Sequence, residues 1–310
     1  MPTHYILKRI FWLFPVVLGV ITLVFLLIHL IPGDPVDIML GENARSLDKQ
    51  ILHHELGLDK PLLNQYVDFL KKIGRGNLGK SLHSQQPVLA IILEKYPATL
   101  ELMLAAILVA LAISLPLGIL SALKQYSFMD HASLFLSLLG ISMPHFWLGP
   151  ILILLFSIKL GWLPVSGRGG PSHVILPAIT LGTAMAAILT RMVRSSLLEV
   201  LEDDYITTAK SKGLSFKRVI LKHALKNAFI PVLTVVSLQI GALLTGSIIT
   251  EMIFAWPGLG RLTIQAIYTR DYPLVQGCVL IISISYVVVN LLTDLAYTVI
   301  DPRIRYDYKT

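Results

Sequence analysis

Apolar residues run almost unbroken through six stretches, at residues 9–31, 99–123, 133–157, 175–194, 228–250 and 275–299. At about 1.5 Å per residue, each is long enough to cross roughly 30 Å of hydrocarbon. The pattern predicts an all-α polytopic membrane protein with six transmembrane helices. The fourth stretch is the weakest, because its apolar part stops near Leu189 and Arg191 must snorkel. Lys8 and Arg9 ahead of the first stretch imitate a signal peptide. That stretch is longer than the usual h-region and has no small-x-small cleavage site, so it is read as a retained helix.

Two inter-helix segments have patterns of their own. In residues 33–97, apolar residues recur at helical spacing (Leu62, Leu63, Tyr66, Phe69, Leu70, Ile73), predicting short helices over 48–56 and 61–73 with stops at Gly57 and Gly74. The segment is either a small helical cap or a plain connector. The other segment, residues 199–231, is basic and helix-patterned. Asp203 and Asp204 are placed to cap a short helix, Lys210 and Lys212 to complement its last turn, and Gly213 to end it in the left-handed conformation. Ser215 is placed to cap a second helix with two faces. Phe216, Val219, Ile220, His223, Ala224 and Asn227 lie on one face, and Lys217, Arg218, Lys222 and Lys226 on the other. This helix is expected to end at Ile230-Pro231, where the fifth apolar stretch begins.

Charge orients the chain. With the N-terminus inside, the inner segments carry fourteen Lys and Arg, and the two short outer loops carry four. The long segment 33–97 translocates largely regardless of its charge. Both termini and the 199–231 loop are therefore expected in the cytoplasm. A composition of 55% hydrophobic and 15% charged residues excludes a soluble domain of this length. The net charge of +7 does not argue for nucleic acid, since the basic residues flank apolar runs instead of interleaving with aromatics. A single cysteine, Cys278, excludes an internal disulfide framework.

Candidate chemistry is sparse. Residues 74–81, GRGNLGKS, match the phosphate-cradling pattern G-x-x-x-x-G-K-[ST]. The context is wrong, because an amphipathic helix precedes the motif where a buried strand is required. A glycine-rich turn is the better account. The histidines show no metal-ligand spacing, and no hydrolase signature occurs. His29, Glu101, Asn290 and Asp294 are scattered polar residues in or beside apolar runs. Ser142, His145 and Gln239 are candidates for lining a wet pathway or for bonding a neighbouring helix. The turn at Trp256 is either a gate element or an interfacial anchor. For 199–231 three readings stand: a helix lying on anionic headgroups, a connector, or a lever that receives force from a cytoplasmic motor. Its acidic head favours the lever, since anionic lipid repels it.

The 199–231 loop resembles the E-A-A-x-x-x-G loop of permease subunits in binding-protein-dependent ABC importers, with Thr207, Thr208, Ala209 and Gly213 at the motif positions. Two of the three leading residues depart from the pattern. Almost the whole chain is similar to the dipeptide/oligopeptide/nickel branch: IPGDP at 31–35, LGLDKPL at 56–62, GNLGKS at 76–81, PATLEL at 97–102, SMPHFW at 142–147, LGWLPVSG at 160–167, ILPA at 175–178, HALKNAFIPV at 223–232, FAWPGLGR at 254–261, RDYPLVQG at 270–277 and DPRIR at 301–305.

The resemblance implies a type I importer permease fold, a single domain over 1–310, in the bacterial inner membrane. It implies half of a translocation pathway for di- or oligopeptides, with nickel, metallophore or glutathione as alternative cargo. It also implies a second homologous permease, two cytoplasmic ABC ATPases carrying ATP and Mg, and an extracytoplasmic substrate-binding protein. No cofactor, metal or catalytic site is expected on this chain, and lipid is its remaining partner. The coupling contacts would come from Asp204, Tyr205, Thr208, Ala209, Lys212, Gly213, Leu214 and Arg218. A stand-alone secondary transporter or channel is the reading from a different class; no inverted repeat or membrane carboxylate pair supports it.

Overall fold

The computed structural model describes residues 3–30, 35–41 and 45–300, and among these the regular elements are all helical. In chain order they are α1 (Thr3–His29), α2 (Pro35–Leu40), α3 (Ser46–Leu56), α4 (Leu62–Gly74), α5 (Val88–Leu123), α6 (Phe128–Ser142), α7 (His145–Leu152), α8 (Pro171–Leu201), α9 (Asp204–Ser211), α10 (Phe216–Arg218), α11 (Leu225–Ile253), α12 (Leu259–Tyr268) and α13 (Tyr272–Ile300). Two π-helical stretches, Ile153–Lys159 and Val219–Ala224, follow α7 and α10. Among the described residues, four helical stretches are long and apolar enough to cross a membrane: Val88–Leu123, Pro171–Leu201, Phe216–Leu243 and Tyr272–Thr293. The pair Phe128–Ser142 and His145–Lys159 passes the same test jointly, and α1 contributes the shorter apolar stretch Phe11–Leu26. The motif residues 31–34 and 301–305 lie outside the described residues, as does the side chain of Asp294.

The chain forms two compact units. One comprises residues 99–256 with the end of α13, and the other residues 3–98 with 257–288. In the first, α8 is the central helix. An added Cβ at Gly118 of α5 would sit 2.7 Å from Val193, one at Gly182 of α8 would sit 2.7 Å from the Ala106 carbonyl, and Gly140 of α6 faces Ala187 at 3.1 Å. The contacts at Gly118 and Gly182 require glycine and that at Gly140 is tight, and together they bring α5 and α6 close against α8. This explains the weak hydropathy of the fourth stretch: neighbouring helices, not lipid, surround much of α8, whose spanning window is 61% buried.

Two expectations fail in this unit. The third apolar stretch is not one helix. Pro144 has no amide hydrogen and drives Met143 into extended backbone (φ −82°, ψ 114°), so α6 ends and α7 departs at 103°. The second loop helix does not end at Ile230-Pro231. From Phe216 the chain passes through the π-helical turn into α11 with Pro231 inside it. Ile220, Ala224, Ala228, Val232 and Val236 form one buried stripe at four-residue spacing, and its packing overrides the proline.

In the second unit, α4 lies along α1. The Tyr66 hydroxyl and Thr22 Oγ1 are 2.7 Å apart, His29 Nε2 lies 3.0 Å from Gln65 Oε1, and Phe25 stacks against Tyr66 and Phe69. Gly57 caps α3 in the left-handed conformation, as its position predicts. Gly74 instead closes α4 as a helical residue, and the left-handed turn falls on Gly76 (φ +70°). The Lys60 ammonium beside Asp68 holds that carboxyl below its ordinary value.

The nucleotide-like motif is a structural latch. Ser81 is buried and donates from Oγ to Asp271 Oδ2, the Leu82 amide donates to the same oxygen, and the Leu274 amide donates to Oδ1. Lys80 pairs with Pro87 in a lone bridge, and the next helix opens only at Val88. The hydroxyl that a nucleotide site would aim at a metal is committed to a buried carboxylate.

Candidate functional site

The loop joining α8 to α11 is held by one apolar core. Ile206 and Ala209 of α9, Val219 and Ala224 of the π-helical turn, and Ala228 are buried together with Ala122 of α5 and Leu197 of α8; Leu214 packs on them half-buried. These small and apolar residues press the inner face of α9 down and leave its other face in solvent. Asp204, Tyr205, Thr208 and Lys212 are on that exposed face with Gly213, and Arg218 is exposed beyond them. Of the sequence-nominated residues, Ala209 and Leu214 therefore anchor the loop, and the other six present its surface.

The turn is built as the glycine predicts and capped differently. Gly213 has φ +75°, and an added Cβ there would meet nothing within 4 Å, so its requirement is wholly conformational. Asp203 and Ser215 occupy the N-cap positions of α9 and α10 in extended backbone, yet neither side chain makes the capping hydrogen bond. The loop is braced instead by Asn227 of α11, whose Nδ2 donates to the Tyr205 hydroxyl at 2.8 Å. Periodicity assigns Phe216 to the inner face of the second helix, but it is 59% exposed, and Leu221 is 56% exposed. Of the expected face only Val219, Ile220 and Ala224 are buried, all three within the π-helical turn, and Asn227 is exposed. Phe216 and Leu221 thus add apolar surface beside Arg218.

Sequence reasoning missed an ion pair close to this loop, between a buried carboxylate and a half-buried arginine. Asp130, 2% exposed at the start of α6, receives Arg194 of α8 in a two-pronged contact, Nε to Oδ1 at 2.7 Å and Nη2 to Oδ2 at 2.8 Å. Ser121 Oγ and the Tyr126 amide donate to the same carboxylate. Two signals were present: an acid three residues after the N-cap Ser127, and an arginine among apolar residues. Arg191, the arginine expected to snorkel, is exposed and lies outside this pair.

Residues 114–306 match the family described as binding-protein-dependent transport system inner membrane component, and residues 2–103 match the N-terminal part of such membrane components. The chain belongs to this family. It is 47% identical to the di/tripeptide transport system permease protein DppB of Pseudomonas aeruginosa, over 97% of this chain and 98% of that one. It is 43% identical to the glutathione transport system permease protein GsiC of Pectobacterium atrosepticum, over 98% and 99%. A solved structure of the MetNI methionine ABC transporter has a similar fold, with TM-score 0.55 and 17% identity over 69% of this chain and 97% of that one.

The molecule is therefore a multi-pass inner-membrane permease subunit of an ABC importer, in the dipeptide branch and with the type I fold. Such permeases work with ATPase and substrate-binding partners. Of the pathway candidates in this permease, Ser142 is the last residue of α6 and exposed, and His145 opens α7 across the break. His145 Nδ1 lies 3.0 Å from the Thr180 carbonyl, which ties α7 to α8. Gln239 is half-buried on α11. Glu101, nominated as an interface residue, pairs with Arg168 at 2.6 Å, and that guanidinium lies 6.0 Å from the Trp256 ring.

Proposed function

We propose that this permease forms one half of the translocation pathway for di- and oligopeptides, with both termini in the cytoplasm and a second homologous permease as the other half. The observation that carries the cargo is the 47% identity, across nearly all of both chains, to a permease named for di- and tripeptides. One of two cytoplasmic ATPases, holding ATP and Mg on its own residues, docks on the exposed face of α9 with Phe216 and Arg218 beside it, and the other docks on the second permease. An extracytoplasmic binding protein supplies the peptide. The chain itself binds no cofactor and catalyses no reaction. A rigid α9, anchored by Ile206 and Ala209 and presenting charges and Tyr205 outward, suits a part that must take a push without deforming.

The test is reconstitution of the co-purified assembly in vesicles. Labelled dipeptide should accumulate with ATP and binding protein and should not accumulate without either. Gly213→Arg and Asp204→Lys should uncouple hydrolysis from uptake while leaving the permease in the membrane. ATP-independent accumulation would sink the importer reading. Uptake of glutathione in preference to dipeptides would overturn the cargo alone.

A further inference from the structure

We propose that Asp130 and Arg194 are a positioning pair that makes α6 move with the α8–α9 loop, so that a displacement of α9 reaches the break at Pro144. This rests on α9 being the docking site of an ATPase. The carboxylate gathers donors from three places: the α8 guanidinium, the Ser121 hydroxyl near the end of α5, and the Tyr126 amide in the α5–α6 turn. Tyr126 sits at φ +62°, a conformation that a bulky residue adopts at a cost, and its amide is bound to Asp130. The turn, α6 and α8 thus converge on a single side chain.

Stability alone does not call for this pair. Withdrawing Asp130 from water offsets much of what its pairing with the half-buried Arg194 gains, so the pair recovers little beyond what a well-packed apolar pair gives. The two-pronged contact does supply one fixed orientation, which a sliding apolar contact lacks.

Its position makes that orientation useful. Ala122, next to Ser121, and Leu197, one helical turn beyond Arg194, belong to the core that buries Ile206 and Ala209 of α9. Movement of α9 must therefore carry Ala122 and Leu197, and with them the Ser121 and Arg194 donors. Asp130 follows and takes the start of α6. That helix runs 15 residues, about 22 Å, to Ser142, where the chain breaks by 103° and His145 is tied to α8. Gly140 packed on Ala187 keeps the far end of α6 against the same helix.

The test uses the full reconstituted importer and reads ATP hydrolysed per peptide imported, together with thermal unfolding of the assembly. Arg194→Lys keeps the charge and removes the two-pronged contact. Asp130→Leu combined with Arg194→Met replaces the pair by apolar side chains. Arg194→Lys should assemble and unfold within a few degrees of the wild type. The double variant should unfold at a lower temperature, because the Ser121 hydroxyl and Tyr126 amide lose their acceptor. In both, the ATP-to-peptide ratio of the folded assembly should rise about five-fold or more. If uptake and hydrolysis fall together at a constant ratio, in step with lost folded protein, the pair is only a tether and the proposal fails. A wild-type ratio in both variants also overturns it. Gly213→Arg in the same vesicles separates the two ideas. If it uncouples while the pair variants do not, only the pair is wrong; a normal ratio there removes the docking reading and the pair's route with it.

Discussion

Gly213 and Gly277 are both required, for opposite reasons. At Gly213 the backbone is left-handed and the surrounding space is open, so Gly213→Ala costs about 1–2 kcal/mol through conformation alone. Asn tolerates that region, and Gly213→Asn should recover most of the loss. At Gly277 an added Cβ would lie 2.4 Å from Val88 Cγ1 and 3.0 Å from Ile92 Cδ1, so Gly277→Ala overpacks the unit by about 1–3 kcal/mol, and Asn would be worse. Thermal unfolding of the purified permease should give that opposite ordering of Ala and Asn at the two sites. Ser81 makes a similar contrast with its neighbour. Ser81→Ala takes a donor from the buried Asp271 and should destabilise by about 1–3 kcal/mol, whereas exposed Lys80→Ala should be nearly neutral. A larger loss from Lys80→Ala than from Ser81→Ala would reopen the motif at 74–81 as a binding site.

Helices with their own stops were legible in the sequence, and helices shaped by neighbours were not. Periodicity and Gly57 placed α3 and α4 to within two residues at their starts. Gly213 stops α9 for the reason its residue type suggests. Hydropathy alone could not tell that the third apolar stretch was two helices, because a turn made of Met, Pro and apolar flanks has the same composition as a span. Nor could it follow the second loop helix through Pro231, where a buried stripe outweighs a local breaker. The break is testable by distance. Labels at Leu138 and Leu154, both exposed, would stand about 24 Å apart on a straight helix and much closer across a 103° bend. Pro144→Ala restores an amide and frees Met143 to become helical, so the distance distribution should gain a population near the straight-helix value. An unchanged distribution would mean that the His145 tie to α8, and not the proline, sets the bend.

Orientation of the whole chain rests on charge, and the residue inventory makes it measurable. The sequence exposed the importer class through motifs spread along the chain, yet the pairing of Asp130 with Arg194 was hidden because sixty-four positions separate them. Which charges face which side was legible only as a count, fourteen against four outside the long 33–97 segment. The positive-inside rule turns that count into a topology with Lys124 and Lys212 in the cytoplasm and Lys80 outside. Cys278 is the only cysteine and is fully buried, so the native permease should not react with a membrane-impermeant maleimide and serves as its own blank. Lys80, Lys124 and Lys212 are all exposed, which makes a cysteine at each accessible from whichever side it faces. In spheroplasts Lys80→Cys should label and Lys124→Cys and Lys212→Cys should not, and in inverted vesicles the pattern should reverse. Labelling of Lys212→Cys from outside would put α9 beyond the reach of any cytoplasmic ATPase. Labelling of Lys124→Cys alone from outside would instead place the error in the α5–α6 turn, because Ala122 at the end of α5 shares one core with the α8–α9 loop and must face the same side.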